Sequence, residues 1–360
     1  MTVNRKDGMN YAPKGKPRPV VKEGEFTFSA AYLNHGHIYG MTNGLLEAGA
    51  TLKYVYDPDQ ALVDKFLDQF PNATQVGSYD VILQDEEIDL VASAAIPSDR
   101  PAVGFKAMRS GKDYFCDKPP FTTLEQIEEA RSVIEETGKK YAVYYAEYLH
   151  VEGAIFASQL IDRGAIGRVV QILGTGPHRL NAPHRPAWFF EREKYGGILC
   201  DIGSHQVYQL LVFADVDDAR VVHSQIGNFN NPDHPGLDDF GDCTLVAENG
   251  STMYFRVDWF TPDGLSTWGD GRTFILGTEG YIELRKYVDI TRSEGGGHVF
   301  LVNKDGEQYF NVAGKIGYPF FGELILDCMN RTENAQSQHR ALLAAELSVK
   351  AQMNATVIKN

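Results

Sequence analysis

The stretch EFTFSAAYLNHGHIYGMTNGLLEAGATLKYVYD, from Glu25 to Asp57, places two apolar runs on either side of an amphipathic one. The runs EFTFSAAYL and TLKYVYD predict β-strands, and YGMTNGLLEAGA predicts a helix that stops at a glycine. Two strands joined by a helix form a βαβ unit, whose strands lie parallel in one sheet. The stretch therefore predicts an α/β fold.

The same alternation continues to about Ala146. The segments PDQALVDKFLDQF, RPAVGFKAMRSG and TLEQIEEARSVIEETG predict helices, and DLVASAA, DYFC and KYAVYYA predict strands. Repeated β-α units favour a parallel sheet with helices on both faces, which is a Rossmann-type domain.

The second half of the chain has a different pattern. After one helix, VEGAIFASQLIDRG, strands dominate, and short turns such as ENGS and GTEG join several of them. This pattern predicts an α+β domain with an antiparallel or mixed sheet. We expect an N-terminal arm at 1–24, the Rossmann-type domain at 25–148 and the α+β domain at 149–360. Two options stay open: the arm is disordered or lies along a partner subunit, and the C-terminal helix packs back on the first domain or does not.

The composition is that of a globular protein, with 43% hydrophobic and 23% charged residues. A net charge of −14 disfavours nucleic acid and anionic membranes as partners. No apolar run reaches the length of a signal peptide or a membrane span, so we expect a cytoplasmic protein. Four widely separated cysteines predict buried free thiols in a reducing compartment: Cys116, Cys200, Cys243 and Cys328.

The turn LNHGHIYG follows the first predicted strand. A dinucleotide-binding turn has glycines that let backbone amides approach a pyrophosphate at a helix N-terminus. Here Gly36 takes the place of the second glycine, Asn34 of the first and Tyr39 of the third. Asparagine tolerates positive φ, so Asn34 is predicted to make the tight turn. The predicted cofactor contacts in this turn are Asn34, His35, Gly36, His37 and Ile38; the two histidines are interpreted as loop or packing residues, not metal ligands.

Asp57 ends the second predicted strand, 21 residues after Gly36. An acidic residue at this place accepts hydrogen bonds from an adenosine ribose and repels a 2′-phosphate, which predicts NAD in preference to NADP. The alternative is that Asp57 only caps the helix that begins at Pro58.

A third candidate lies in KYGGILCDIGSHQVYQLLVFA, Lys194 to Ala214. On a helix, Asp201 and His205 would share one face, and a carboxylate beside an imidazole is a common acid–base arrangement. The alternative is a helix cap at Asp201 and a surface histidine at His205.

The segment DYFCDKPPF places Lys118 directly after a strand of the predicted sheet, where the prolines restrict its backbone. With LIDRGAIGRVV and GGILCDIGSHQ further along, this DKP segment resembles the glucose–fructose oxidoreductase/inositol dehydrogenase (Gfo/Idh/MocA) family, from about Phe26 to the end. The resemblance implies that Lys118, Asp201 and His205 form the catalytic group and that the first domain binds NAD or NADP. It also implies a large open, mostly antiparallel sheet in the second domain. That sheet would carry one wall of the substrate site and the interface of a homo-oligomer, a dimer or a tetramer.

Besides its degenerate glycine turn, the chain departs from the family pattern at three places. AIPSDRP keeps Pro97, a predicted cofactor contact, but has Arg100 where histidine is common. Tyr208 stands where an acidic residue often follows the catalytic histidine, and Tyr148 stands near the place of a frequent arginine. These departures concern substrate and cofactor handling, not the fold.

The loop PHRLNAPHRPAWFFEREKYGG has side chains that suit a polyhydroxylated ligand, with planar donors and an aromatic face. We therefore expect a carbohydrate or cyclitol substrate, with Lys118, Asp201 and His205 joined by His178, Arg179, Arg185 and Trp188. The alternative is a loop whose arginines and tryptophan pack against the sheet. The spacing of His178, His184 and His205 matches no known ligand pattern, so no metal is predicted.

The sequence thus predicts an NAD-dependent oxidoreductase that transfers a hydride between a secondary hydroxyl and a nicotinamide. His205, oriented by Asp201, would act as general base, and Lys118 would stabilise the developing alkoxide; the sequence does not separate the proton-transfer roles of His205 and Lys118. Two alternatives stay open. One is a glycoside-cleaving or epimerising enzyme that retains NAD, and the other is a non-enzymatic nucleotide-binding regulator.

Overall fold

The computed structural model describes residues 6–292 and 295–359. The chain forms two compact units, each built on one sheet. We call them the parallel-sheet unit, Met9–Tyr144 with Tyr318–Ala341, and the mixed-sheet unit, Met1–Gly8, Tyr145–Gly317 and Leu342–Asn360.

The β-strands are β1 Thr27–Ala31, β2 Thr51–Tyr56, β3 Thr74–Gln75, β4 Leu90–Ser93, β5 Asp113–Asp117, β6 Tyr141–Tyr144, β7 Val169–Pro177, β8 Ala219–Gly227, β9 Phe240–Ala247, β10 Thr252–Asp258, β11 Arg272–Gly277, β12 Gly280–Arg285, β13 His298–Asn303, β14 Gly306–Asn311 and β15 Thr356–Ile358. The α-helices are α1 His37–Glu47, α2 Gln60–Gln69, α3 Tyr79–Gln84, α4 Arg100–Arg109, α5 Leu124–Thr137, α6 Ala146–Leu149, α7 Glu152–Asp162, α8 Arg192–Tyr195, α9 Ile198–Asp201, α10 Gly203–Phe213, α11 Pro319–Asn330 and α12 Gln338–Met353.

The parallel-sheet unit confirms the predicted Rossmann-type domain. Its six strands are all parallel, in the order β3-β2-β1-β4-β5-β6. Strands β1, β4, β5 and β6 are buried along their whole length, as their continuous apolar runs predict. The strand order reverses between β1 and β4, and ligands of such sheets bind beyond the carboxyl ends at that point.

Two segments outside the predicted bounds 25–148 belong to this unit. Helix α11 packs against the parallel sheet at β5. Its Phe320 contacts Phe115, and the guanidinium of Arg331, the next residue after the helix, binds the Asp113 carboxylate at 2.6 and 2.7 Å. Residues 9–21 lie along α1, since the Gly15 N–H donates to the Glu47 carboxylate at 2.9 Å. The prediction of an arm outside the core is wrong for this part; residues 1–5 lie outside the described residues.

The mixed-sheet unit confirms the predicted large, mostly antiparallel sheet. Its nine strands follow the order β14-β13-β12-β11-β7-β10-β9-β8-β15, and only β7–β10 and β8–β15 are parallel pairs among the described residues. Helix α10 packs on β7 and β10, and α7 on β12 and β13. The stretch QHRALLAAELSVKAQMNATVI, from Gln338 to Ile358, predicts one amphipathic helix, but α12 ends at Met353 and Thr356–Ile358 forms the edge strand β15.

The four cysteines are buried free thiols, as predicted. In the described part of the chain, none of the helices has the length and apolar content needed to cross a membrane.

Gly44 on α1 tests the packing of α11. A Cβ at this position would overlap the Phe321 ring, which is buried, so we expect Gly44→Ala to lower the free energy of unfolding by about 1–3 kcal/mol. The matched control is Gly153→Ala on α7, where the nearest atoms lie at 3.7 Å; there alanine should stabilise the helix by about 0.5–1 kcal/mol. Urea unfolding measures both, and equal effects would contradict the packing.

Candidate active site

Candidate site residues occur in both units, and the first group lies in the turn after β1. The left-handed residue of this turn is Tyr32, with φ +58°, so the prediction that Asn34 makes the tight turn is wrong. The Tyr32 ring packs edge-on against Tyr56 and Tyr79, at 5.6 and 5.3 Å between ring centroids. These contacts hold the strained backbone of an aromatic residue that lies two positions before Asn34.

A glycine is needed at position 36 because neighbouring atoms leave no room for a side chain, not because the backbone has a positive φ. Its φ is −65°, and a Cβ on it would overlap the carbonyl oxygen of Met9. Tyr39, which stands at the place of the third glycine, stacks with Phe70. The close approach to the helix is instead at Gly40, where a Cβ would lie 3.0 Å from Tyr144 Oη. The turn is thus adapted to the segment at residues 9–21.

Asp57 lies at the end of β2, beside this turn. Its carboxylate accepts the N–H groups of Leu33 at 2.6 Å and Asp59 at 2.8 Å, and burial raises its pKa. The capping alternative is wrong, because α2 begins at Gln60 and its N-cap is Asp59, which accepts the Ala61 N–H at 2.9 Å.

These residues fit a dinucleotide. Helix α1 is the element that follows β1, at the reversal of strand order, and its N-cap Gly36 makes no side-chain hydrogen bond to its N-terminus. The Asp57 carboxylate stands where an adenosine ribose binds in such sheets.

Lys118 follows β5 and is 4% exposed. Its N–H donates to Asp117 Oδ1 at 2.8 Å, and Pro97 is buried in the turn after β4. The sequence treated Arg100 only as a departure from a family pattern. In the structure its guanidinium, fully buried, donates to the carbonyls of Ala95 and Pro119 and to Asp117 Oδ2, at 2.8, 2.9 and 3.0 Å.

The two turn histidines contact the same carboxylate. Asp117 Oδ1 lies 2.8 Å from His37 Nδ1, and Oδ2 lies 3.1 Å from His35 Nδ1. Burial alone would raise the pKa of Asp117, but His37, Arg100 and His35 outweigh it and hold this pKa well below its ordinary value. Burial, with His37 second, lowers the pKa of His35 well below 6.5.

In the mixed-sheet unit, Asp201 ends α9 and His205 lies in the first turn of α10, with Ile202 between the helices. Both side chains are buried, and the His205 ring lies edge-on to Tyr145 at 6.3 Å. The alternative of a surface histidine is wrong. So is the alternative of a cap at Asp201, because the N-cap positions of the two helices are Gly197 and Ile202.

This unit also contains a buried ion pair that was not predicted from the sequence. Lys286 Nζ donates to Glu147 Oε2 at 2.9 Å, and both side chains are almost fully buried. Gln206 Nε2 donates to the same oxygen at 3.2 Å, and His178 Nε2 lies 3.7 Å from Glu147 Oε1. Two members of this network are sequence neighbours of residues already discussed, since Glu147 precedes Tyr148 and Gln206 follows His205. No feature of the sequence points to Lys286.

The loop arginines already have partners. Arg179 donates to the carbonyls of Lys6, Pro262 and Leu265. Arg185 donates to the carbonyls of Leu180 and Arg179, and its guanidinium lies over the rings of Phe189 and Trp259.

Trp188 is also buried, against Phe189. Substrate binding by Arg179, Arg185 and Trp188 stays a prediction, and their contacts favour the alternative of a packed loop. His178 is also packed, with its ring 4.5 Å from that of Trp268.

Two family models match the chain. Residues 32–145 match the oxidoreductase family, NAD-binding Rossmann fold, and residues 155–283 match the GFO/IDH/MocA C-terminal domain. The crystal structure of a putative oxidoreductase from Erwinia carotovora atroseptica SCRI1043 is 50% identical, with a TM-score of 0.90 over 93% of this chain and 100% of that chain.

Two curated relatives are more distant. D-xylose dehydrogenase of Paenarthrobacter nicotinovorans is 30% identical over 136 residues, 36% of this chain and 35% of that protein. The scyllo-inositol 2-dehydrogenase (NAD(+)) of Bacillus subtilis strain 168 is 25% identical over 253 residues, 68% of this chain and 69% of that protein.

The lowered pKa of His35 predicts a loss of stability in mild acid. Below pH 6.5 the unfolded chain protonates this histidine while the folded chain does not, so the free energy of unfolding falls as the pH falls through that window. The His35 contribution to the slope is at most about 1.4 kcal/mol per pH unit, the limit for one proton. We expect His35→Asn to have a shallower slope than wild type between pH 7 and 5 in urea unfolding. The control His223→Asn replaces an exposed histidine; a slope lowered equally by both variants would contradict the assignment.

Proposed function

Because the chain belongs to the Gfo/Idh/MocA family of oxidoreductases, we propose that it transfers a hydride between a secondary hydroxyl of a sugar, sugar derivative or cyclitol and NAD. The observation that carries the proposal is Lys118, buried at the carboxyl end of β5 in a six-stranded parallel sheet. Two relatives, named a xylose and an inositol dehydrogenase, support a polyhydroxylated substrate. The cofactor supplies the hydride acceptor or donor.

The residues of this chain handle the proton. The Lys118 ammonium donates a hydrogen bond to the reacting oxygen and stabilises negative charge on it as the C–H bond breaks. His205, which is buried on α10, accepts the hydroxyl proton, with Asp201 as its orienting carboxylate. The buried Glu147–Lys286 pair and His178 lie in the same unit as His205, and they are further candidates for hydrogen bonds to substrate hydroxyls.

The alternative that retains NAD, with glycoside cleavage or epimerisation and no net oxidation, is not favoured, because these relatives are named dehydrogenases. Release of one NADH per substrate oxidised separates the two functions.

Replacement of Lys118 tests the function directly. With NAD⁺ and a panel of sugars and cyclitols, we expect Lys118→Met to lower kcat/KM at least about 100-fold, the range for loss of one donor to a developing oxyanion. The matched control is Lys112→Met, since Lys112 is also buried and precedes the same strand β5, where its Nζ donates to the Asp85 carbonyl. NADH absorbance measures turnover. Equal activity of Lys118→Met and wild type would show that Lys118 is not a catalytic residue.

Asp57 tests the cofactor preference. Asp57→Asn removes the negative charge, and with it the repulsion of a 2′-phosphate. It keeps one oxygen for the Leu33 N–H but loses the acceptor of the Asp59 N–H. We expect the ratio of kcat/KM for NAD⁺ to that for NADP⁺ to fall about tenfold or more, which corresponds to about 1.4 kcal/mol. Asp59→Asn changes the neighbouring helix cap and is the control. An unchanged ratio in Asp57→Asn would remove the basis for preferring NAD.

We also propose a homo-oligomer through the exposed face of the nine-stranded sheet. Tyr254, Leu173 and Phe274 occupy adjacent register positions on β10, β7 and β11, and Tyr254 and Leu173 are 41% and 43% exposed. A row of apolar side chains across several strands is typical of a surface that is covered by another chain.

Leu173→Glu should therefore reduce the molar mass measured by light scattering after size exclusion, because a carboxylate in an apolar interface is poorly solvated. Val81→Glu, at a site 42% exposed on α3, is the control and should leave the mass unchanged. A wild-type protein of about 40 kDa, the mass of one chain, would rule out the oligomer.

A further inference from the structure

The Asp117 carboxylate joins three segments of the parallel-sheet unit. It is fully buried, and its partners are His35 and His37 from the turn after β1, Arg100 from the start of α4, and the Lys118 backbone N–H. In the strand order β4 lies between β1 and β5, so this carboxylate links the turn after β1 to the end of β5 across β4.

The protonation states follow from the chemistry of these groups. With its pKa well below the ordinary value, Asp117 is ionised at neutral pH and can only accept hydrogen bonds. His37 Nδ1, at 2.8 Å from Oδ1, therefore carries the proton of that bond. The negative charge of Asp117 is balanced by the Arg100 guanidinium, and a lowered pKa keeps His35 uncharged.

One oxygen serves both His37 and Lys118. Asp117 Oδ1 accepts from His37 Nδ1 and from the Lys118 N–H, each at 2.8 Å. The position of this oxygen, and through it the backbone of Lys118, therefore depends on His37. Because His37 is the first residue of α1, the same imidazole also belongs to the turn beside the proposed dinucleotide site.

We propose that His37 is a positioning residue: through Asp117 it fixes Lys118 relative to the dinucleotide-binding turn. The inference rests on the proposed function, in which Lys118 contacts the reacting oxygen. It assigns to His37 a role that differs from the cofactor contact and the packing role that the sequence suggested.

A divalent metal is the competing explanation, because ligand atoms of His35, His37 and Asp117 lie within 4.8 Å of one another. The carboxylate, however, already accepts the Lys118 N–H and an Arg100 N–H, and a guanidinium on the same carboxylate repels a cation. The contacts therefore favour hydrogen bonding over metal coordination as the role of the Asp117 carboxylate.

Two substitutions separate positioning from proton transfer. His37→Ala removes the donor to Asp117, whereas His37→Asn places an amide N–H near the position of Nδ1 but has no group that titrates. We expect His37→Ala to lower kcat at least about tenfold with less than about a threefold change in the substrate KM. His37→Asn should restore kcat to within about threefold of wild type. If His37→Asn is as impaired as His37→Ala, while both fold by circular dichroism, the positioning role is wrong.

A readout without turnover keeps this inference separate from the proposed function. Reductive methylation with ¹³C-formaldehyde labels lysine amines, and the Lys118 signal is the one that disappears in Lys118→Met. Its chemical shift should change in His37→Ala and return in His37→Asn, with or without NADH. If the signal responds in this way but Lys118→Met retains full activity, the proposed function fails and the positioning stands. An unchanged Lys118 signal in His37→Ala would overturn the inference.

Two controls complete the experiment. His150→Ala removes a fully buried imidazole from the mixed-sheet unit and should leave the Lys118 signal in place. If His37→Ala does not fold, His37→Gln, which keeps the side-chain volume but displaces the donor from the Nδ1 position, replaces it with the same expected loss. Elemental analysis of the wild-type protein tests for a metal. One zinc or other divalent metal per chain, lost in the His37 variants, would show a metal site and contradict the hydrogen-bonding role of Asp117.

Discussion

A negative charge buried at the end of β5 constrains the whole parallel-sheet unit. Removing a carboxylate from water costs several kcal/mol unless charges and donors replace the lost hydration. Asp117 has Arg100 as its counter-charge and three further partners, and no exposed surface. Arg100 also binds the carbonyls of Ala95 and Pro119, so the ends of β4 and β5 are tied by one side chain. The lysine that we propose to act on substrate is the next residue along this constrained backbone.

The mixed-sheet unit meets a similar constraint in a different way. Glu147 and Lys286 are both almost fully buried and compensate each other, and Gln206 adds a hydrogen bond to the carboxylate. Gly174 and Gly176 on β7 make this possible, because a Cβ on either would approach the Gln206 side chain more closely than ordinary packing allows. Buried polar networks of this kind are costly when incomplete, and they restrict a site to one arrangement.

The departures of the turn after β1 from a glycine-rich pattern have local compensations. Tyr32 adopts the left-handed conformation between two aromatic rings, Gly36 admits the Met9 carbonyl, and Tyr39 stacks on the side chains of α2 and the residue after it. His37 hydrogen-bonds to Asp117 at the end of β5, two strands away, and the His35 imidazole lies 3.1 Å from the same carboxylate. The turn keeps its place at the reversal of strand order while its packing partners differ from those that glycines would have.

The sequence by itself determined that the chain has two sheets, that the strands of the first are parallel, and where helices such as α4 and α5 lie, because periodicity, caps and glycine stops act between residues close in the chain. It also placed Asp57, Lys118, Asp201 and His205 at strand ends or helix starts. Tertiary structure alone decided which polar groups meet. Asp117 lies 17 residues from Arg100 and 80 from His37, and Glu147 lies 139 from Lys286. No local pattern encodes such pairs, because their energies depend on burial and on geometry that exist only once the sheets have formed and water has been excluded from between the side chains.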